Sequence, residues 1–357
     1  MEILFVVIIV ILLIGASYFY TNMTYIQKPL KRMYKSGFKE KQMKLNDRTV
    51  LNYGEGPNNG KTPLLLIHGQ GMSWEDYAKV LPALSEHYHV YAVDCHGHGE
   101  SSENPNKYSA KAMATDFIEF IKLKIGKKTV ITGHSSGGMI AAWMAAKYPD
   151  YVLGTVIEDS PFFATEPDRR KKTYVWKYSF QQYEDFKNQN EVKDYFTYYV
   201  ENSYWKKVFG DFLWKRFSNS AVKYHEKYPD RPVRVFYLPP QINRIFESVT
   251  YPYDKRFGEA FYDNSWFEDY NQAKILSEIK SPTIFVKAKT TYDGELLIAA
   301  LSDEDADRVV DLLENGKRVD IDTPGHNIHY DKPKEFTDVL IGFLNVSEKE
   351  IGDFDNL

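Results

Sequence analysis

Apolar and polar positions fall into distinct regimes along this chain. Ile3 to Tyr20 is an uncharged apolar run of 18 residues, long enough to cross a bilayer as a helix. Around Asn46-Asp47 the pattern shortens to alternation, with Gln42-Met43-Lys44-Leu45 on one side and Thr49-Val50-Leu51-Asn52-Tyr53 on the other, a hairpin signature. Continuous apolar or β-branched runs follow at residues 63–67, 89–93, 129–132 and 152–157, and again at 283–286 and 318–321. Such runs fit strands buried on both faces of a sheet. Between them lie segments of helical period at residues 74–86, 109–124, 139–146, 303–314 and 334–344. Strands alternating with helices predict a doubly wound, mostly parallel α/β sheet.

Residues 161–280 break that alternation. They hold 31 of the chain's 55 aromatic residues, a composition that must bury itself against something. The spacing of residues 195–217 is helical, with Trp205, Phe209 and Leu213 along one edge and Tyr204, Val208 and Phe212 beside it. The expected organisation is a membrane anchor over 1–22, a basic linker over 23–42, and an α/β core from 43–160 and 281–346. An aromatic-rich helical cap over 161–280 and an acidic tail over 347–357 complete it. The aromatic block reads either as a helical subdomain with its own core or as a cap lining a substrate cavity, and one edge of it could also rest on a membrane.

Charge and cysteine content narrow the classes. Forty-five basic against 49 acidic residues give a net charge of −4, which argues against a nucleic-acid partner. The single cysteine, Cys95, excludes an intramolecular disulfide and a cysteine-based zinc site. Only Met1 and Glu2 precede the apolar run, whereas Lys28, Lys31, Arg32, Lys35, Lys39, Lys41 and Lys44 follow it. That asymmetry favours an uncleaved single-pass anchor with the large domain facing the cytoplasm. A cleaved signal peptide is the rival reading, because Gly15-Ala16-Ser17 is a cluster of small residues.

The candidate chemistry centres on Gly133-His134-Ser135-Ser136-Gly137, which stands between a predicted strand and a predicted helix. Strand, sharp turn and helix are the context of a nucleophile elbow. Gly133 and Gly137 leave room for close neighbours, and Ser135 is aimed out of the sheet beside a helix N-terminus. His326, in Thr323-Pro324-Gly325-His326, follows the last strand, and a histidine there is suited to take the serine proton near neutrality. His329 is its competitor. His68-Gly69-Gln70-Gly71 follows a buried strand, and the backbone N–H groups of Gln70 and Ser136 would form an oxyanion hole. Metal binding by His96 and His98 is a weaker alternative, without a matching set of carboxylates and histidines; no metal or cofactor is expected.

Taken in order, His68-Gly69-Gln70-Gly71, Asp94-Cys95-His96-Gly97-His98-Gly99-Glu100-Ser101, Gly133-His134-Ser135-Ser136-Gly137 and Pro324-Gly325-His326 resemble the α/β-hydrolase superfamily, in its capped serine-hydrolase branch. His96 departs from the arginine often found at that place. The resemblance implies Ser135 as nucleophile and His326 as base. It places the acid at Asp293, a few residues past the 283–286 strand, with Asp159 as the alternative. The implied activity is cleavage of an ester or related acyl bond of an apolar small molecule or lipid, in the manner of a carboxylesterase, lipase or thioesterase. Acyl transfer and C–C hydrolysis would use the same residues, and an idle binding or interaction module is the reading from another class.

Overall fold

A computed structural model describes residues 2–250 and 253–354, with side chains from Ile3 to Leu344. The chain divides into two compact units, Met1–Arg32 with Asn190–Tyr251, and Met33–Gln189 with Pro252–Leu357.

The larger unit is built on ten strands: β1 (Lys39–Lys44), β2 (Val50–Glu55), β3 (Pro63–Ile67), β4 (His89–Val93), β5 (Thr129–His134), β6 (Val152–Glu158), β7 (Thr283–Lys287), β8 (Tyr292–Asp293), β9 (Leu296–Leu297) and β10 (Gly316–Asp320). Eight of them form one sheet in the order β1-β2-β4-β3-β5-β6-β7-β10, and β8 and β9 form a separate hairpin. The β1–β2 and β2–β4 pairs are antiparallel, and every pair from β4 to β10 is parallel. The expected hairpin is present, with Met43 opposite Leu51. Every residue of β3, β4 and β5 is buried, as continuous apolar runs require in a sheet covered on both faces.

Several boundaries differ from expectation. β1 begins at Lys39, and the basic stretch before it forms a helix, Gln27–Lys35. That helix buries Met33, while Phe38, just before β1, is buried as well. The segment expected as one helix over 74–86 is a 3₁₀ turn, Trp74–Lys79, followed by Leu81–Leu84; Pro82 has no N–H to continue the ladder. The last helix runs on from Pro333 to Phe354, through most of the expected acidic tail, and residues 355–357 lie outside the described residues.

The aromatic block is divided. Phe162, Phe163, Trp176, Phe180, Phe257, Phe261, Trp266 and Tyr270 belong to the same core cluster as the sheet and its flanking helices, and the Tyr270 hydroxyl donates to the Met139 carbonyl at 2.7 Å. A second core belongs to the smaller unit and gathers Phe196, Tyr199, Trp214, Val233, Val235, Leu238 and Phe246. In that unit Tyr195–Glu201 and Trp205–Lys227 are helical, and the longer helix breaks at Gly210, with φ +74°. Also there, Glu2–Thr24 is a single helix; its Ile3–Thr24 stretch is strongly apolar and nearly all exposed, making it a candidate membrane span.

Candidate active site

The C-terminal ends of the parallel strands carry the candidate residues, the edge where open α/β sheets place their sites. Ser135 sits between β5 and the Ser136–Lys147 helix with φ +54° and ψ −121°, a backbone conformation that costs a non-glycine residue free energy. Its neighbours hold it there. The Ser135 N–H donates to the Glu158 carbonyl at 2.9 Å, and its carbonyl accepts from the Ser160 hydroxyl at 2.7 Å and the Gly138 N–H at 3.0 Å. A Cβ on Gly133 would lie within 3 Å of the Gly137 carbonyl, and one on Gly137 within 3 Å of the Ile67 and His68 carbonyls. Both glycines therefore permit a close backbone approach that any side chain would block.

The His68-Gly69-Gln70-Gly71 loop lies against the elbow: a Cβ on Gly69 would be 3.1 Å from that of Ser135. Two buried histidines pin the loop. His68 Nδ1 lies 2.7 Å from the Gly69 carbonyl while its Nε2 accepts from the Cys95 N–H at 3.0 Å. His98 Nε2 accepts from the Gly71 N–H at 3.0 Å, with Nδ1 3.2 Å from the His96 carbonyl. These partners fix each ring as neutral with the proton on Nδ1. Burial agrees, pushing His68 down to about 4 and His98 well below the usual histidine value. His96 Nε2 instead meets Asp116 at 2.8 Å, so His96 and His98 each serve a hydrogen bond of the fold. No cluster able to hold a metal occurs among the described residues. Among them, too, the backbone N–H groups of Gln70 and Ser136 donate to no other group of the chain, leaving two donors beside Ser135. The Gln70 side chain donates to the Tyr253 hydroxyl.

His326 Nδ1 lies 2.8 Å from Asp159 Oδ2. Asp159, directly after β6, is buried, whereas the His326 side chain is 37% exposed. Asp159 also has positive φ, +40°. Its Oδ1 accepts from the Ala288 N–H at 3.1 Å, and the buried Lys287 ammonium stands 4.0 Å away. Burial lowers the Lys287 pKa, and the Asp159 charge works against that shift. The expected order of the two acids is thus reversed: the carboxylate against His326 is that of Asp159. Asp293 ends β8, and Gly294 (φ +61°) with Glu295 turns the chain into β9. Glycine at the first position of that two-residue loop suits a hairpin turn, and Asp293 is its flanking strand residue.

His134 joins the elbow to the loop that carries His326. Its Nε2 donates to the His326 carbonyl at 3.1 Å, and the two ring centroids are 4.4 Å apart. Burial, followed by the nearby His326, lowers its pKa to about 3, so the ring is neutral and donates.

His329, the rival to His326, has another place. It is fully buried, with Nδ1 2.8 Å from Glu158 Oε1 and Nε2 3.0 Å from Asp76 Oδ2, and its backbone N–H donates to Glu158 Oε1 at 2.8 Å. Burial alone would lower its pKa, but the Glu158 and Asp76 carboxylates outweigh burial and raise it to about 9. The His329 imidazolium thus ties the 325–331 loop to the end of β6 and to the turn after the glycine loop. Glu158, Asp76 and Lys287 have no recognisable motif in the sequence; the only signal was that Glu158 and Asp159 close a strand at the sheet's C-terminal edge.

A family model described as "alpha/beta hydrolase fold" matches residues 62–333. A serine hydrolase-like protein of Danio rerio is 24% identical over 293 residues, covering 81% of this chain and 83% of that protein. Lipase 3 of Moraxella sp. (strain TA144) is 34% identical over 131 residues, which cover 36% of this chain and 41% of the lipase. Among solved structures, a bacterial membrane phospholipase A superposes with a TM-score of 0.59 at 20% identity, covering 98% of this chain and 99% of that one.

Proposed function

The chain belongs to the α/β-hydrolase fold family, and within it we propose a membrane-anchored serine hydrolase that cleaves an ester or related acyl bond of an apolar small molecule or lipid through an acyl-Ser135 intermediate. The observation that carries this reading is the 2.8 Å contact between His326 Nδ1 and buried Asp159, on the sheet edge that presents Ser135. Asp159 holds the imidazole so that Nε2 is free to accept the Ser135 proton, and it stabilises the imidazolium that forms. The Ser135 oxygen attacks the acyl carbonyl carbon, and the carbonyl π electrons move onto its oxygen. The Gln70 and Ser136 N–H groups receive that oxyanion. Collapse expels the alcohol, which takes its proton from His326; a water molecule, deprotonated by His326, then releases the acid and restores Ser135.

An apolar acyl group is favoured by the half-buried Tyr253, whose ring lies 4.9 Å from that of His98 and whose hydroxyl accepts from the Gln70 side chain of the glycine loop. The anchor, and a lipase and a membrane phospholipase A among the similar proteins, make lipids the first substrates to try. The basic residues after the span favour a cytoplasmic catalytic domain; a domain digested by protease added to intact cells would reverse that orientation.

A fluorophosphonate probe tests the serine directly. The intact protein labels at neutral pH, and Ser135→Ala abolishes both labelling and ester turnover while the fold is retained. Turnover of short acyl esters by Ser135→Ala would refute the assignment, and an unlabelled but folded wild-type protein would favour an idle binding module.

A further inference from the structure

We propose that residues 233–238 form a second membrane contact of this chain, placing the Phe236 ring in the interfacial layer of an anionic phospholipid bilayer beside the anchor helix. The proposal rests on the reading of Ile3–Thr24 as a bilayer-spanning helix.

Contacts within the smaller unit hold the segment at the end of that helix. The Phe19 and Phe236 ring centroids are 5.9 Å apart, the Tyr18 hydroxyl donates to the Tyr237 carbonyl at 3.1 Å, and Tyr25, just past the helix, donates to Glu247. The segment itself is anchored: Val233, Val235 and Leu238 are buried, and the Tyr237 hydroxyl donates to Ser220 Oγ at 2.5 Å. Phe236 alone among these apolar side chains turns outward, 60% exposed although it touches Phe19, itself 41% exposed. Two large rings paired yet open to solvent are unfavourable in water. In a bilayer interface the same exposure is favourable.

The level of Phe236 follows from helix geometry. A hydrocarbon layer of about 30 Å takes about 20 helical residues, so a span beginning at Ile3 leaves the layer near Asn22, one turn beyond Phe19. Headgroup depth is marked by Lys28, whose ammonium lies 4.3 Å over the Tyr20 ring, and by the tyrosines at positions 18, 20 and 25. Lys28, Lys31, Arg32 and Lys35 follow directly, which selects anionic lipid.

The test uses the full-length protein in phosphatidylcholine–phosphatidylglycerol vesicles. Cys95 is buried, so an NBD fluorophore can be attached selectively at Phe236→Cys, with Ile8→Cys marking the span and Lys128→Cys marking water. The expected result is quenching of position 236 by a nitroxide on the upper acyl chain and several-fold weaker quenching by iodide than at position 128. If position 8 is quenched by lipid while position 236 stays open to iodide, the proposal falls and the anchor stands. Shielding of position 236 from both quenchers would mean that protein, such as a second copy, covers it, and also overturns the proposal. A label at position 8 that lipid does not quench removes the spanning helix and the proposal with it.

Discussion

Asp159 and His329 show at single-residue scale how environment assigns roles to like side chains. Two aspartates, 159 and 293, stand past neighbouring strands, and only Asp159 reaches His326. Asp159→Asn is expected to lower kcat on the order of 10⁴-fold at neutral pH, by favouring the wrong imidazole tautomer, while Asp293→Asn leaves kcat within a few-fold. The opposite ranking in steady-state kinetics would return the role to Asp293. His329 differs from His326 in having carboxylates on both ring nitrogens. Its pKa is raised from the ordinary 6.5 to about 9, so the folded state holds an extra proton between those values. This stabilisation is complete below about pH 6.5 and is lost as pH rises through about 9. Removing the cation between them, as in His329→Gln, leaves two buried carboxylates uncompensated and should cost about 3–5 kcal/mol in denaturant unfolding. An unchanged unfolding midpoint would deny the network its role.

Among the elements, the elbow shows why strand and helix boundaries here were legible from sequence. A β-branched run, glycines two residues either side of Ser135, and a small-residue helix each demand the same local geometry, and the structure has β5 ending at His134 and the helix starting at Ser136. Gly137→Ala should destabilise by about 3 kcal/mol or more, because its Cβ would meet backbone carbonyls of β3 and the loop after it, which have little freedom to move; Gly60→Ala, with open space around it, controls for loss of glycine alone, at a smaller cost for its φ of +72°. Thermal unfolding of both variants checks this. Where the sequence misled, tertiary packing overrode the local pattern. A 3.6-residue period over 74–86 gave no sign of the 3₁₀ turn whose Trp74 N–H donates to Asp94 at 2.7 Å. Nor did the helical spacing of residues 195–217 show the break at Gly210.

For the whole molecule, buried neutral histidines govern acid stability. His68 and His134, lowered to about 4 and about 3, and His98, lowered further below 6.5, remain unprotonated in the fold while the unfolded chain takes up protons below about pH 6.5. Stability therefore falls as pH drops from 6.5 toward 4. Asp94, raised to about 7 by burial, keeps a proton in the fold over the same interval and offsets one of the three. The net slope is on the order of 1.4 kcal/mol per pH unit for each remaining proton. With His329 acting on the alkaline side, urea midpoints should peak near pH 6.5, and a midpoint that keeps rising from pH 6.5 to 9 would contradict the assigned histidine states. The division of the aromatic block belongs to this scale as well. Its composition required burial, but nothing along the chain distinguished rings that join the sheet's core from those that build the smaller unit's.

By itself the sequence determined the sheet, the elbow, the glycine loop and the apolar N-terminal helix, because each is written in contiguous residues whose periodicity, branching or lack of a Cβ admits one local geometry. Tertiary structure alone decided which carboxylate meets His326, which histidine is locked between two acids, and which exposed ring stands beside the apolar N-terminal helix. Those pairings join residues from 167 to 253 positions apart. Their distances are set by how strands stack and loops close, a property no local pattern encodes.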